Sequence, residues 1–205
     1  MVNNLVTVKI PGYAWRMSKE TYHHGDLKAA ILSQAATLVA ERGADGISLR
    51  ELARVAGVSH AAPAHHFADR RGLFTALATE GFQLLARALT DARPKFVDAA
   101  RAYVRFALDH PGHYEVMWDR SLYDATDLTL VAAEAAAGAE LNRGVGTLAD
   151  PKAKAAPDDA ALAAWALVHG FSLLWLNGAI AGRDASEDPI DTAERIARML
   201  FDDAR

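Results

Sequence analysis

The sequence predicts an all-α protein in which a small three-helix unit containing a helix-turn-helix is joined to a larger helical body. Three observations lead there. Alanine, the strongest helix former, occupies 44 of 205 positions. Apolar residues recur at helical spacing, and Ser, Asp, Gly and Pro stand where helices start and stop. The composition, 51% hydrophobic and 23% charged, is that of a globular chain long enough for one large domain or a small one fused to a larger one.

Met1 to Ser18 has no helical periodicity, contains Pro11 and Gly12 and precedes a second methionine, Met17. Residues 1–21 are therefore read as a flexible extension or an upstream start choice. From Asp26 the pattern becomes helical: Leu27, Ile31, Ala35 and Leu38 share one face, Lys28, Gln34, Thr37 and Glu41 the other, and Gly43 ends the helix. Ser48-Leu49-Arg50-Glu51 has the form of a capping box, with Ser48 covering a free N–H and Glu51 reaching back, and it opens a short second helix. After Ala56-Gly57-Val58-Ser59, Ser59 is expected to cap a third helix of about two turns, through His66. Asp69 caps a fourth, which carries Leu73, Phe74, Leu77, Leu84 and Leu85. Two short helices around Gly57 make a helix-turn-helix, although an ordinary helical corner has the same spacing.

Beyond Pro94, Phe96, Ala99, Tyr103, Phe106 and Ala107 form a stripe ending at His110, and Pro111 restarts a helix carrying Tyr114, Met117 and Trp118. Gly138, Gly144, Gly146, Pro151 and Pro157 mark a loop over about residues 142–158. Ala160 to Gly182 then lacks any Asp, Glu, Lys or Arg. It is long enough to cross a bilayer, but His169, Ser172, Asn177 and three glycines dilute it and no basic cluster flanks it, so no membrane span is expected. A helix buried at the centre of an oligomer explains it better.

The net charge of −4 divides unevenly: residues 16–90 carry +2 with five histidines in addition, and residues 91–205 carry −7. A polyanion would meet the first half and not the second. The absence of cysteine excludes disulfide frameworks, thiolate metal sites and cysteine nucleophiles, and fits a cytoplasmic protein. The histidine pairs His23-His24 and His65-His66 are adjacent and point apart, so no metal is expected, and no cofactor motif is present. Ser172 and His169 lack a Gly-x-Ser-x-Gly context, so no enzyme is expected.

The stretches YHHGDLKAAIL, ISLRELARVAGVSHAAPAHHF and FADRRGLFTAL, in this order and spacing, resemble the DNA-binding domain of the TetR family of bacterial transcriptional regulators. Further on, HPGHYEVMW and WALVHG (Trp165 to Gly170) look like the effector domain of a TetR subgroup with a Trp-His-Gly motif. The resemblance implies a helix-turn-helix DNA-binding domain over 22–68 and a helical effector-binding and dimerisation domain over 69–205. It also implies a homodimeric repressor that leaves a palindromic double-stranded operator when a small, largely hydrophobic effector binds.

In the family the third helix enters the major groove, and other helix starts grip phosphates. The DNA set implied here is Lys28, Ser48, Arg50 and Arg70 on phosphates, with Ser59, His60, Ala61, Ala64 and His65 on the reading helix. A cap alone would also account for Ser48, and solvated surface charge for Arg50 and Arg70. Ala64 stands where the family usually has a tyrosine, and no Arg, Asn or Gln is available for bidentate base pairing, so binding should lean on phosphates. A TetR-fold receptor with weak or lost DNA binding is the alternative. Trp165, His169 and Ser172 share one helix face and suit a mostly apolar pocket, with Tyr103, Phe106, His113, Tyr114 and Trp118 as further walls. A core tryptophan beside a histidine satisfied by a carbonyl fits the same residues. Phe171, Trp175, Ala179, Ile190, Ile196 and Leu200 are the expected dimer contacts, in a four-helix bundle.

Overall fold

In the computed structural model residues 24–92, 95–180 and 188–201 are described, and all their regular structure is helical. The order is α1 (His24–Arg42), a 3-10 turn (Ala44–Gly46), α2 (Leu49–Ala56), α3 (Ala61–Phe67), α4 (Arg70–Asp91), α5 (Phe96–Asp109), α6 (Pro111–Met117), α7 (Leu128–Gly146), α8 (Pro151–Ala155), α9 (Pro157–Leu176) and α10 (Pro189–Leu200). The extension read over residues 1–21 lies outside the described residues. α4 is the central strut. It packs on α7, α5 and α6 at one end and on α1 and α3 at the other, and it buries Leu73, Phe74, Leu77, Phe82 and Leu85.

Local signals hold the N-terminal unit. Gly43 ends α1 at φ 78°, and Gly57 ends α2 at φ 67°, left-handed conformations that favour glycine. The Ser48 hydroxyl accepts from the Glu51 N–H at 3.2 Å, and Asp69 accepts from the Gly72 N–H at 2.8 Å. The return half of the capping box does not form. Glu51 instead binds Arg42 at 2.7 Å, because a guanidinium is a stronger partner for a carboxylate than a neutral N–H. Ser59 does not cap α3 either: the helix begins at Ala61 after His60, and Ser59 contributes its carbonyl to the Ala62 N–H.

Three further expectations are corrected. The loop over 142–158 is mostly helix, since α7 continues through Gly144, which packs against Ala99, and Asp150 with Pro151 starts α8. The charge-free run is not one helix. It stops at Leu176, where the Gly178 N–H donates to the Trp175 carbonyl and the Ala179 N–H to that of Leu174, closing a Schellman motif with Gly178 at φ 70°. Ala179 is therefore beyond the helix and exposed. Phe171 and Ile190 face this chain's own core, at 6% and 5% exposure, so they are not surface available to a second subunit. α9 is long and apolar enough to cross a membrane by length and composition, yet it packs against α5, α7 and α10.

Candidate functional site

Two surfaces gather the residues singled out above. On the N-terminal unit, Lys28, Ser48, Arg50, Ser59, His60, Ala61, Ala64 and His65 are all exposed, while Pro63 and Phe67 turn inward and pack the module. Ser48, Arg50 and His60 line one open groove between α2 and α3 with Arg54. Arg54 was missed in the sequence, although its place four residues after Arg50 puts both on one helix face.

Arg70 has a different job from the phosphate contact expected of it. Its Nε donates to the Ile47 carbonyl at 3.1 Å and its Nη2 to that of Ala44 at 2.9 Å. The guanidinium also lies 4.6 Å from the centroid of the Phe74 ring. It staples the α1–α2 connection to α4. Arg70→Ala should therefore lower stability by about 1–3 kcal/mol, read as a fall in the thermal midpoint. An unchanged midpoint together with weakened DNA binding would return Arg70 to the phosphate role.

The second surface is a cavity of about 350 Å³ among α4, α5, α7 and α9. Its walls include Tyr103, Trp118 and Trp165 of the expected set, and also Phe82, Leu85 and Leu89 of α4, Ala137, Gly138 and Leu141 of α7, and Ala161 and Leu162 of α9. Glu134, Asn142 and Asp158 supply its polar lining. Behind the aromatic wall lies a bonded cluster. The Trp165 indole N–H donates to the Tyr103 hydroxyl at 3.3 Å, and the hydroxyls of Tyr103 and Tyr114 lie 3.2 and 2.8 Å from His169 Nδ1. Burial pushes the Tyr114 phenol up to about 12 and raises Tyr103 well above the usual phenol range, while it lowers the His169 imidazole. The cluster is thus uncharged at neutral pH. The Trp118 indole N–H is buried without a hydrogen-bond partner among the described residues.

The other expected wall residues go elsewhere. Phe106 is core, His113 pairs with Glu80 at 2.9 Å, and the fully buried Ser172 returns its hydroxyl to the Val168 carbonyl, as polar residues do on a packed helix face. The α4 and α7 walls carried no signal in the sequence, because a leucine on a cavity and one in a core have the same periodicity.

Comparison with known proteins decides the family. Residues 31–77 match the family described as "Bacterial regulatory proteins, tetR family", and residues 96–200 match "Tetracyclin repressor-like, C-terminal domain". The chain belongs to the TetR family of transcriptional regulators. Among solved structures it is similar to a protein of unknown function from Rhodococcus sp. RHA1, at 34% identity over 89% of this chain and 97% of that one, with a TM-score of 0.66. It is also similar to the TetR family regulator PfmR from Thermus thermophilus, at 25% identity over 85% and 98%, with a TM-score of 0.55. AibR, solved with isovaleryl coenzyme A and operator DNA, shares the fold at 20% identity over 87% and 100%, with a TM-score of 0.59. No curated protein matches the sequence.

In this TetR-family regulator α6 touches both surfaces. Tyr114 belongs to the bonded cluster behind the cavity wall, and Trp118, just after the helix, lines the cavity itself. From the same helix the Glu115 carboxylate accepts from the Ala44 N–H at 2.8 Å, at the turn between α1 and α2. Gly112 lies against the α1 backbone so closely that a Cβ would stand 2.0 Å from the Ala36 carbonyl oxygen.

Proposed function

We propose that this TetR-family regulator is a homodimeric repressor in the bacterial cytoplasm, released from a palindromic operator when a small, largely hydrophobic molecule enters the α4–α5–α7–α9 cavity. The observation that carries this reading is the shared use of α6, because a ligand that displaces Trp118, which packs on Tyr114, acts on the same short helix that seats Glu115 and Gly112 on the DNA-binding unit. Trp165 and His169, one turn apart on α9 with their rings in contact, support placing the domain in the Trp-His-Gly subgroup, and the corner at Ala68 supports a unit boundary between residues 68 and 69.

The dimer rests on apolar surface left open by the chain's own packing. On α9, Leu162, Leu173, Leu174 and Leu176 are 59%, 38%, 48% and 37% exposed, and on α10 Met199 is 81% exposed beside the half-buried Ile196. Together they form a stripe that a second copy would cover with the same stripe, as a two-fold interface requires. Of the contacts expected earlier, Trp175, Ile196 and Leu200 stay half-exposed and keep that role in the proposal.

Operator binding tests the reading. Arg50→Ala should leave the thermal midpoint unchanged and remove about one unit from the slope of log affinity against log salt. An effector that quenches tryptophan fluorescence should bind more weakly in the presence of operator, by the factor with which it weakens DNA binding. Failure to retain any genomic fragment would leave a receptor without DNA binding.

A further inference from the structure

The cavity's chemistry points past hydrophobicity to a sign of charge. Its lining holds two carboxylates, Glu134 and Asp158, and no Lys, Arg or His. Glu134 is engaged on one side by Arg120, 2.6 Å away and outside the lining. Asp158, in the first turn of α9, has no ion pair within 4 Å among the described residues. Asp158 lines the cavity from an exposed position, so it places there a negative charge that no cation among the described residues pairs and that solvent partly screens. Lys154 lines an adjoining cleft that shares Asn142, Asp158 and Ala161, and it is not among the residues lining this cavity.

The walls favour the same sign. Trp165 is the exposed aromatic of the lining, and with its indole N–H given to the Tyr103 hydroxyl it has only ring surface to offer a ligand. Trp118 and Trp165 stand with ring centroids 5.6 Å apart, and Phe82 meets Trp118 edge-on at 5.4 Å. Aromatic faces carry negative electrostatic potential and attract cations. A polyanion would meet these faces and two carboxylates with no cationic group in the lining to receive it.

Resting on the effector reading above, we infer that the ligand class of this cavity is a hydrophobic monocation, an aromatic or alkyl amine or quaternary ammonium ion held against the Trp165 ring and Asp158, both on the cavity side of α9. Specificity against neutral and anionic molecules of the same shape then comes from Asp158 and the ring faces, and Glu134 adds a weaker, half-compensated contribution.

The test uses three isosteric probes: a methoxyphenylbutyl trimethylammonium ion, its neutral analogue with carbon in place of the quaternary nitrogen, and the corresponding carboxylate. Each is titrated into the full-length protein by tryptophan fluorescence, and each is scored for release of operator DNA. The ammonium ion should bind about tenfold tighter than the neutral analogue, the scale of a cation–π contact with a partly screened ion pair. Asp158→Asn should remove most of that preference while leaving affinity for the neutral analogue unchanged. Equal binding by all three, with operator release, would overturn the charge assignment and leave the effector site standing. Tighter binding of the carboxylate, or an Asp158→Asn variant that keeps the tenfold preference, would also overturn it. Quenching by none of the probes would overturn the charge assignment and the effector reading of the cavity together.

Discussion

Replacing Leu173 by Asp is expected to halve the particle mass to about the 22.0 kDa of one chain and to weaken operator binding by about 100-fold. The size of the effect follows from what each half contributes. α3 presents two alanines and two imidazoles, with no residue able to make a bidentate base contact, so one unit is a weak reader and affinity depends on two being held together. Leu173 sits at the middle of the open α9 face, with Leu162 and Ala166 preceding it on that face. A carboxylate there would be buried unpaired in the dimer, which costs several kcal/mol, yet would meet only water in a single chain. Helical content by circular dichroism should therefore be unchanged. A folded variant that keeps its dimer mass and operator affinity would show that α9 is not the interface.

Gly112→Ala should be severely damaging for the addition of a single methyl group. The added Cβ would stand 2.0 Å from the Ala36 carbonyl oxygen and 3.1 Å from the Ala40 nitrogen, both backbone atoms of α1 that cannot rotate away. Either α6 lifts from α1 or both helices shift, at a cost of at least about 2 kcal/mol, or roughly 4–8 °C in the thermal midpoint for a chain of this size. Lifting α6 also withdraws Glu115 from the Ala44 N–H, so any protein that folds should lose the coupling between effector and operator while retaining effector binding. The matched control is Gly138→Ala. Nothing lies within 4 Å of its Cβ position in the middle of α7, and the helix should gain about 0.5–1 kcal/mol. If the two variants melt alike, the α1–α6 approach is looser than the structure has it.

What could be read from the sequence was what neighbouring residues decide between themselves. The helix starts at Asp69 and Pro111, the Ser48 cap and the glycine stops at positions 43 and 57 all depend on groups within four residues, so their signatures survive in one dimension. Pattern reading failed where a local signal met a stronger distant partner. Glu51 left its capping box for Arg42, and Arg70, expected on DNA from its place at a helix start, turned to carbonyls more than twenty positions earlier.

The cavity divides along the same line. Tyr103, Trp118 and Trp165 were legible as aromatic residues at helical spacing, and so was the Trp165–His169 pair. Their union with Phe82, Leu85 and Leu141, and the two carboxylates at its edge, arise only when α4, α7 and α9 pack together. Residue order was enough to establish the helical class, the elements of the N-terminal unit and the family resemblance, because periodicity and caps are local and cumulative, whereas α7 and α8 went unread. Packing in three dimensions was needed to settle which aromatics border empty space, which leucines stay open on α9, and that α6 joins the two surfaces. Those outcomes depend on how helices distant in sequence fill or fail to fill the space between them, and apolar periodicity is the same in either case.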